Sequence, residues 1–295
     1  MKDTDTLLSI IIPTYNRPEL LLRAVNSALA QTIENFEVIV VDDCSSTPID
    51  LPEDPRLRII RLSKNQGGSA ARNIGTKAAK GHWINFLDDD DELLPHMAEV
   101  SLKALQQTSL SKPVGAISGI EVVDSKGKVI KTRIPPTLPR GSHYGLEDID
   151  SDRSFLCKQT LIVEKEVLLS IGGFDEHLPS RIHTDLFLRL NLVCSLLGIQ
   201  QVGYRLYKHD GFQISSDPTR RQTGYNRILE KHHEIFQAHP KMYANFIYEH
   251  VITSYKMGQF KAGLNDLGKA IAVSPQHTFG RMFYTVINSI KRSFS

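Results

Sequence analysis

Short apolar runs alternate with helical patterns over the first 95 residues of the chain. The runs are continuous rather than alternating, which is typical of strands that are buried on both faces of a sheet. They occupy residues 7–12, 36–41, 57–60 and 83–87. Between them, Pro18 opens one segment with helical periodicity, and Gly67-Gly68 leads into another. This alternation predicts an α/β fold built on a mainly parallel sheet flanked by helices.

Two further apolar runs, residues 114–124 and 128–134, are joined by a turn that contains Gly127. This arrangement predicts a hairpin, which makes the sheet mixed rather than purely parallel. Residues 135–152 are rich in proline and glycine and then in acids, with little apolar periodicity. We expect a mobile loop there, of the kind that closes over a substrate.

The C-terminal quarter of the chain is helical in pattern from Tyr225 onward. Residues 255–275 resemble one tetratricopeptide helix pair, which we interpret as a packing hairpin because one copy cannot form a solenoid. The last helix has an apolar side with basic residues nearby, which suits packing onto the domain or contact with a membrane surface. The apolar residues are Phe279, Phe283, Val286, Ile287 and Ile290, and the basic ones are Arg281, Lys291 and Arg292.

The expected domain organisation follows from this change of pattern. Residues 1–220 form one α/β domain with two halves, 1–95 and 96–220, and residues 221–295 form a C-terminal helical region. The 295 residues are 41% hydrophobic, which is enough to bury a large core.

Composition and charge narrow the class of protein. The 35 basic and 33 acidic residues give a net charge of +2, so no global feature indicates nucleic acid as a partner. The three cysteines are far apart without a CxxC pair, which fits a reducing compartment and argues against structural zinc. No run reaches the roughly 18 apolar residues that a membrane span requires. We expect a cytoplasmic protein, with peripheral attachment to the inner face of the plasma membrane as the alternative.

The strongest chemical signal is the run Asp88-Asp89-Asp90-Asp91, directly behind the apolar run 83–87. Four neighbouring carboxylates repel one another, so they need a counter-charge. Lys or Arg would make the cluster structural, whereas Mg²⁺ or Mn²⁺ would make it chemical, and oxygen ligands suit these hard cations. The alternative is a solvated acidic cap on the helix that begins near Leu94.

Polar residues also follow the first two strands, so the segments beyond Ile12, Val41 and Leu87 should line one crevice at the carboxyl edge of the sheet. These segments carry a set of motifs. They are SIIIPTYNR at 9–17, VVDDCS at 40–45, NQGGSAARNIG at 65–75, FLDDDD at 86–91 and GGFDE at 172–176. In this order they resemble the inverting family 2 glycosyltransferases, and the resemblance covers about residues 7–215.

The resemblance implies a GT-A fold, with a half that binds a nucleotide sugar followed by a half that binds the acceptor. It implies that Tyr15 is a wall for the nucleobase and that Asp43 accepts a hydrogen bond from the uracil ring nitrogen, which favours uridine. The alternative is a core tyrosine and a turn aspartate. The same motifs assign further residues to substrate binding, with the last four beside the sugar diphosphate. They are Pro13, Asn16, Asn65, Gly68, Arg72 and Asn73.

The resemblance also identifies Asp88 and Asp90 with the family's DxD signature. Asp90 is then the metal ligand for Mn²⁺ or Mg²⁺, and Asp88 binds the ribose or sugar. Asp89 remains a further substrate-binding candidate because four consecutive acids leave the register open. His209 occupies a place where relatives often have a histidine that completes the metal site.

The chain departs from the family at the catalytic base, which must take the proton from the acceptor hydroxyl. The family has an aspartate six residues before an arginine, and counting back from Arg189 this place holds His183. Both His183 and Asp185 are therefore candidates.

The implied reaction moves one sugar from a nucleotide sugar, a UDP-sugar, to a hydroxyl of a saccharide or lipid-linked glycan in cell-surface polysaccharide synthesis. The main alternative is a nucleotide-sugar-binding protein that has lost its base. A nucleotidyltransferase is a third, disfavoured because Pro13-Thr14-Tyr15-Asn16 stands where a basic, glycine-rich loop would be expected.

Overall fold

The computed structural model describes residues 8–142, 157–208 and 217–293. The chain divides into two compact units. The first comprises residues 1–143, 151–177 and 182–212, and the second comprises residues 144–150, 178–181 and 213–295. The domain boundary at residue 220 stays a prediction.

The first unit is built on a mixed sheet, in which the described residues supply nine strands. They are β1 (Leu8–Thr14), β2 (Phe36–Asp42), β3 (Leu57–Arg61), β4 (Trp83–Phe86), β5 (Glu92–Leu93), β6 (Val114–Val123), β7 (Val129–Arg133), β8 (Leu161–Glu164) and β9 (Ser195–Tyr207). The order is β3-β2-β1-β4-β8-β6-β9-β5, and β7 pairs with β6. Strands β3, β2, β1 and β4 are parallel, whereas β8 is antiparallel to both of its neighbours.

Among the described residues, five helices accompany this sheet. They are α1 (Pro18–Leu29), α2 (Gly68–Ala78), α3 (Met97–Gln107), α4 (Lys165–Ser170) and α5 (Ile182–Val193). A short 3-10 turn, Lys158–Thr160, precedes β8. The predicted α/β class is confirmed, and so is the mixed character of the sheet, because β6 and β7 form the predicted hairpin with Gly127 at a φ of 79°.

Complete burial explains why the first strands have no polar face. Every residue of β1 and β2 is buried, and Ile10, Ile12, Val38 and Val40 belong to one core cluster with the apolar side of α1. The register aligns Thr14 with Asp42 and Ile11 with Phe86. The carboxyl ends of β1, β2 and β4 therefore lie side by side, as the sequence predicts.

The second unit is helical in its described part. Its helices are α6 (Pro218–Lys231), α7 (His233–Ala238), α8 (Pro240–Lys256), α9 (Phe260–Val273) and α10 (Pro275–Ser293). Helices α8 and α9 pack as a pair around Ile247, Val251 and Ala270, with Gly258 between them, but the pair begins at Pro240 rather than within the predicted stretch 255–275.

The apolar side of α10 is partly open to solvent. Phe279, Phe283 and Val286 are more than half exposed, so packing within the unit does not cover the face that the sequence pattern identifies. Within the described ranges, none of the helices combines the length and the hydropathy needed to cross a bilayer.

Candidate active site

The acidic run lies at the carboxyl end of β4, beside the end of β1. Leu87 is fully buried and its N–H donates to the Ile11 carbonyl, which fixes the start of the run. Asp89 and Asp91 are buried, at 7% and 5% exposure. Ligand oxygens of Asp88, Asp90 and Asp91 lie within 4.8 Å of one another. The burial of Asp89 and Asp91 excludes a solvated acidic cap on a helix. The helix that follows the run, α3, begins only at Met97.

Basic side chains from three separate segments contact this run. Arg17 Nη1 lies 3.3 Å from Asp89 and 3.0 Å from Asp90. Arg72 Nη2 and Lys158 Nζ contact Asp88 at 2.5 and 2.8 Å. The sequence left open whether basic residues or a metal ion answer the repulsion, and the structure shows that basic residues answer part of it.

Tyrosines and backbone hold the last acid of the run. The Tyr204 hydroxyl and the Tyr207 N–H both donate to the Asp91 carboxylate. Burial, reinforced by the charges of Asp90 and Asp88, raises the pKa of Asp91 to about 8. Burial also raises the pKa of Asp89 to about 6, with repulsion from Asp90 adding to it and the Thr14 hydroxyl opposing it.

These shifts mean that the basic residues do not fully neutralise the run. Three carboxylates within ligand distance of one another, without nitrogen or sulfur donors, fit a divalent cation such as Mg²⁺ or Mn²⁺.

Asp88 behaves differently from its neighbours. Its burial opposes ionisation, but the charges of Lys158 and Arg72 outweigh this and hold the pKa of Asp88 well below its usual range. Gln159 Nε2 donates to the same oxygen as Lys158, so three donors, two of them charged, hold the Asp88 carboxylate. Lys158 itself is 1% exposed.

The ends of β1 and β2 form the neighbouring part of the site. Tyr15 is 47% exposed just beyond β1, whereas Pro13 is buried within the strand. Asn16 has a φ of 54°, and its side-chain oxygen accepts a hydrogen bond from the Ser46 N–H at 2.7 Å. This contact ties the turn after β1 to the loop after β2.

Asp43 connects this part of the site to the glycine turn before α2. Its two carboxylate oxygens accept hydrogen bonds from the N–H groups of Gln66 and Gly67, each at 2.7 Å. Asn65 Nδ2 donates to the Asp43 carbonyl at 3.3 Å. Gly67 has a φ of 88°, which explains the need for glycine there. Asp43 is therefore a loop anchor, and its contact with uracil stays a prediction.

The predicted diphosphate residues separate into two groups. Gly68 accepts from Arg72 through its carbonyl, and Arg72 reaches the acidic run. Asn73 is engaged elsewhere, because its amide bonds the backbone of Phe174 in both directions and also Glu176. It thus anchors the GGFDE segment, and a role beside the diphosphate stays a prediction.

The two candidate bases have different surroundings. Asp185 is fully buried in the first turn of α5, and its Oδ2 pairs with Arg189 at 2.5 Å. His183 is half-buried, and its Nδ1 accepts a hydrogen bond from the Lys158 N–H at 3.1 Å. A ring nitrogen that accepts from an amide leaves the proton of the neutral imidazole on the other nitrogen. The free lone pair of a histidine base is therefore already in use.

Some parts of the predicted site lie outside the described residues, namely His209 and the stretch 143–152 of the predicted loop. Other parts were missed by the sequence reasoning. Arg17 follows Asn16 directly, so its position in the first motif was a usable signal. No sequence signal identified Lys158, Gln159 or Tyr204, because each contacts the acids from at least 70 residues away along the chain.

Comparison with known proteins agrees with the motifs. Residues 9–160 match the family model described as glycosyl transferase family 2, which is more than half of the chain. An uncharacterized glycosyltransferase from Haemophilus influenzae is 29% identical over 234 residues, covering 76% of each chain. The glycosyl transferase WcaA of Escherichia coli K12 is 30% identical over 251 residues, covering 81% of this chain and 86% of WcaA.

A solved structure supports the fold. Residues 1–349 of S. aureus TarS, in complex with UDP-GlcNAc, superpose with a TM-score of 0.66 at 20% identity. The match covers 92% of this chain and 82% of the TarS chain. The expected GT-A fold is thereby confirmed, and the chain belongs to glycosyl transferase family 2.

Proposed function

We propose that the protein transfers one sugar from a UDP-sugar to a hydroxyl of a saccharide or lipid-linked glycan, with inversion and with a divalent cation. The observation that carries this proposal is the joint edge of β1, β2 and β4, where the acidic run meets Arg17, Arg72 and Lys158. Holding a nucleoside diphosphate requires acidic side chains, which bind the cation, and basic side chains, which bind the phosphate oxygens.

We infer the class of sugar donor from the residues just beyond β1 and β2 and from the related proteins. The exposed ring of Tyr15 offers a stacking surface for a base, and the Asp43 carboxylate retains lone pairs for a ring N–H. The related TarS structure contains UDP-GlcNAc, and WcaA is named for colanic acid biosynthesis. We therefore infer a UDP-sugar as donor and polysaccharide assembly in the cytoplasm as the setting.

The cation site consists of oxygen ligands. Asp90 would hold Mn²⁺ or Mg²⁺ together with the neighbouring Asp91, and His209 remains the proposed further ligand. When bound, the ion supplies positive charge for the departing diphosphate. Arg17 and Arg72 supply fixed positive charge at the same edge without any reorganisation during the reaction.

The acceptor hydroxyl must lose a proton as its oxygen attacks the anomeric carbon. Of the two candidates, His183 is the more accessible and lies beside Lys158, whereas Asp185 is closed off by its pairing with Arg189. To act as the base, His183 must release the hydrogen bond from the Lys158 N–H, so that its Nδ1 can receive the proton.

One observation favours a second candidate function. In the described residues neither candidate base has an open lone pair directed at solvent, because Asp185 is buried and the His183 Nδ1 is engaged. A protein that binds a nucleotide sugar without transferring it would have this arrangement. Such a protein would bind UDP and release none from a UDP-sugar.

The test is isothermal titration with UDP in the presence of Mn²⁺, for the wild type and for Asp90→Ala. The matched control is Asp54→Ala, which removes a carboxylate before β3, at the opposite edge of the sheet. We expect metal-dependent UDP binding that Asp90→Ala loses and Asp54→Ala retains. Absence of UDP binding in the wild type would overturn the proposal.

A further inference from the structure

The most deeply buried of the three cations at this edge, Lys158, holds an acid of the run itself. Lys158 lies in the 3-10 turn before β8, outside every motif, and is 1% exposed. Burying a lysine is costly unless its ammonium is paired. Its partner is Asp88, at 2.8 Å from Nζ to Oδ2.

Three donors already hold the Asp88 carboxylate, and two of them are cations. Oδ1 accepts from Arg72, and Oδ2 accepts from Lys158 and Gln159. Two positive charges thus surround one negative charge, so this corner of the site is positive overall. A divalent ion at the remaining lone pair of Oδ1 would lie beside the Arg72 guanidinium and close to the buried Lys158 ammonium, and both charges would repel it.

The described partners of the other two acids of the cluster are a solvent-exposed arginine and uncharged donors. Asp90 pairs with Arg17, whose side chain is 38% exposed and therefore well solvated. Asp91 accepts only from the neutral Tyr204 hydroxyl and the Tyr207 N–H among its described hydrogen bonds. Their ligand oxygens still lie within 4.8 Å of Asp88, so the Lys158 ammonium is only one carboxylate away.

We propose that Lys158 is an internal counter-cation, which weakens Asp88 as a metal ligand and repels a divalent ion held by Asp90 and Asp91. This inference deepens the proposed function and rests on its cation site. It makes the intrinsic affinity for metal weak, so that the ion binds well only when the donor diphosphate adds its own oxygens and negative charge. Lys158 is a positioning residue in this account, because it acts through Asp88.

The test is titration of the nucleotide-free protein with Mn²⁺, which reports metal affinity rather than activity. Lys158→Met removes the charge at similar length, and Lys158→Gln keeps a donor for Asp88, which limits any loss of stability. The matched control is Lys165→Met, since the Lys165 ammonium donates only to the backbone carbonyls of Ala79 and Lys77 among its described contacts. Thermal unfolding verifies that each variant is folded.

We expect both Lys158 variants to bind Mn²⁺ about tenfold more tightly than the wild type, because one full charge a few ångströms away is removed. Lys165→Met should bind like the wild type. Adding Asp88→Asn to Lys158→Met should abolish the gain, since both charges of the pair are then gone and the net charge beside the ion equals that of the wild type. Mn²⁺ affinity in folded Lys158 variants that equals or falls below the wild-type value would overturn the inference.

This outcome is separable from that of the proposed function. Sugar transfer from a UDP-sugar with unchanged metal affinity in the Lys158 variants would overturn the counter-cation alone. Tighter Mn²⁺ binding without any transfer would support the counter-cation while contradicting the transferase.

Discussion

Each acid in the run Asp88 to Asp91 has its own environment. Asp88 is enclosed by cations, Asp89 and Asp90 share Arg17, and Asp91 is held by two tyrosines. The first acid is therefore firmly ionised, whereas burial raises the pKa of the last to about 8. Neighbouring aspartates thus differ in their ionisation, because the residues that contact them come from different and distant parts of the chain.

The base assignment predicts the behaviour of a His183→Ala variant. Turnover should fall by about 10²- to 10⁴-fold, as expected when a general base is removed, while UDP affinity stays unchanged. The control is His82→Ala, an exposed histidine before β4 at the opposite edge of the sheet. Steady-state kinetics together with UDP titration measure both quantities. Full turnover in His183→Ala would exclude it as the base.

The pairing of Asp185 with Arg189 predicts a structural effect. Arg189→Met leaves a buried carboxylate without its cation and should lower the free energy of unfolding by about 3 to 5 kcal/mol. Adding Asp185→Leu should restore part of this loss, since both charges are then gone. Chemical denaturation of the three proteins measures the effect. Unchanged stability in Arg189→Met would show that the pair is unimportant for the fold.

At the scale of elements, the strands and helices at the site were predictable because local sequence determines them. Continuous apolar runs specify strands buried on both faces, and the register of β1 with β2 and β4 brings their polar ends together. The side chains that contact these polar ends from distant parts of the chain were not predictable. Lys158 and Tyr204 approach the run only because β8 and β9 are placed by the tertiary fold.

The packing of α2 on the sheet gives a prediction for Gly75. A Cβ there would lie 2.5 Å from Ile11 Cγ2, so Gly75→Ala should destabilise the fold by about 1 to 3 kcal/mol. The control is Gly268→Ala in α9, where nothing lies within 4 Å and alanine should stabilise by up to about 1 kcal/mol. Denaturant unfolding measures both changes. A neutral Gly75→Ala would contradict the close contact.

The helical unit predicts a pH dependence through His250, which stacks on Tyr225 and contacts Arg181 and Gln222. Burial, and then repulsion by Arg181, lowers the pKa of His250 to about 4. The unfolded histidine has a pKa of about 6.5, so the unfolded chain binds more protons between these values. His250 therefore contributes fully above pH 6.5, and its contribution is lost as the pH falls towards 4.

The size of this effect is at most about 3 kcal/mol, from 1.36 kcal/mol for each pKa unit. Unfolding of the wild type and of His250→Gln across pH 4 to 7 isolates it, because the other titrating groups are common to both proteins. The wild type should lose more stability than the variant on acidification. Parallel curves would contradict the low pKa of His250.

At the scale of the whole molecule, a nearly balanced net charge of +2 conceals a strongly charged edge. Arg17, Arg72 and Lys158 oppose the four acids there, so a divalent ion would turn the edge positive. That combination suits a sugar diphosphate, which brings negative charge that a simple acidic surface would repel. We therefore infer that this edge is the donor site of the glycosyltransferase.

The most direct test is to incubate the protein with Mn²⁺, saccharide and lipid-linked acceptors, and a panel of UDP-sugars, and to measure UDP release. We expect release from at least one UDP-sugar, with loss of release after chelation of the metal and in Asp90→Ala. No UDP release from any donor, or release that Asp90→Ala leaves unchanged, would contradict it.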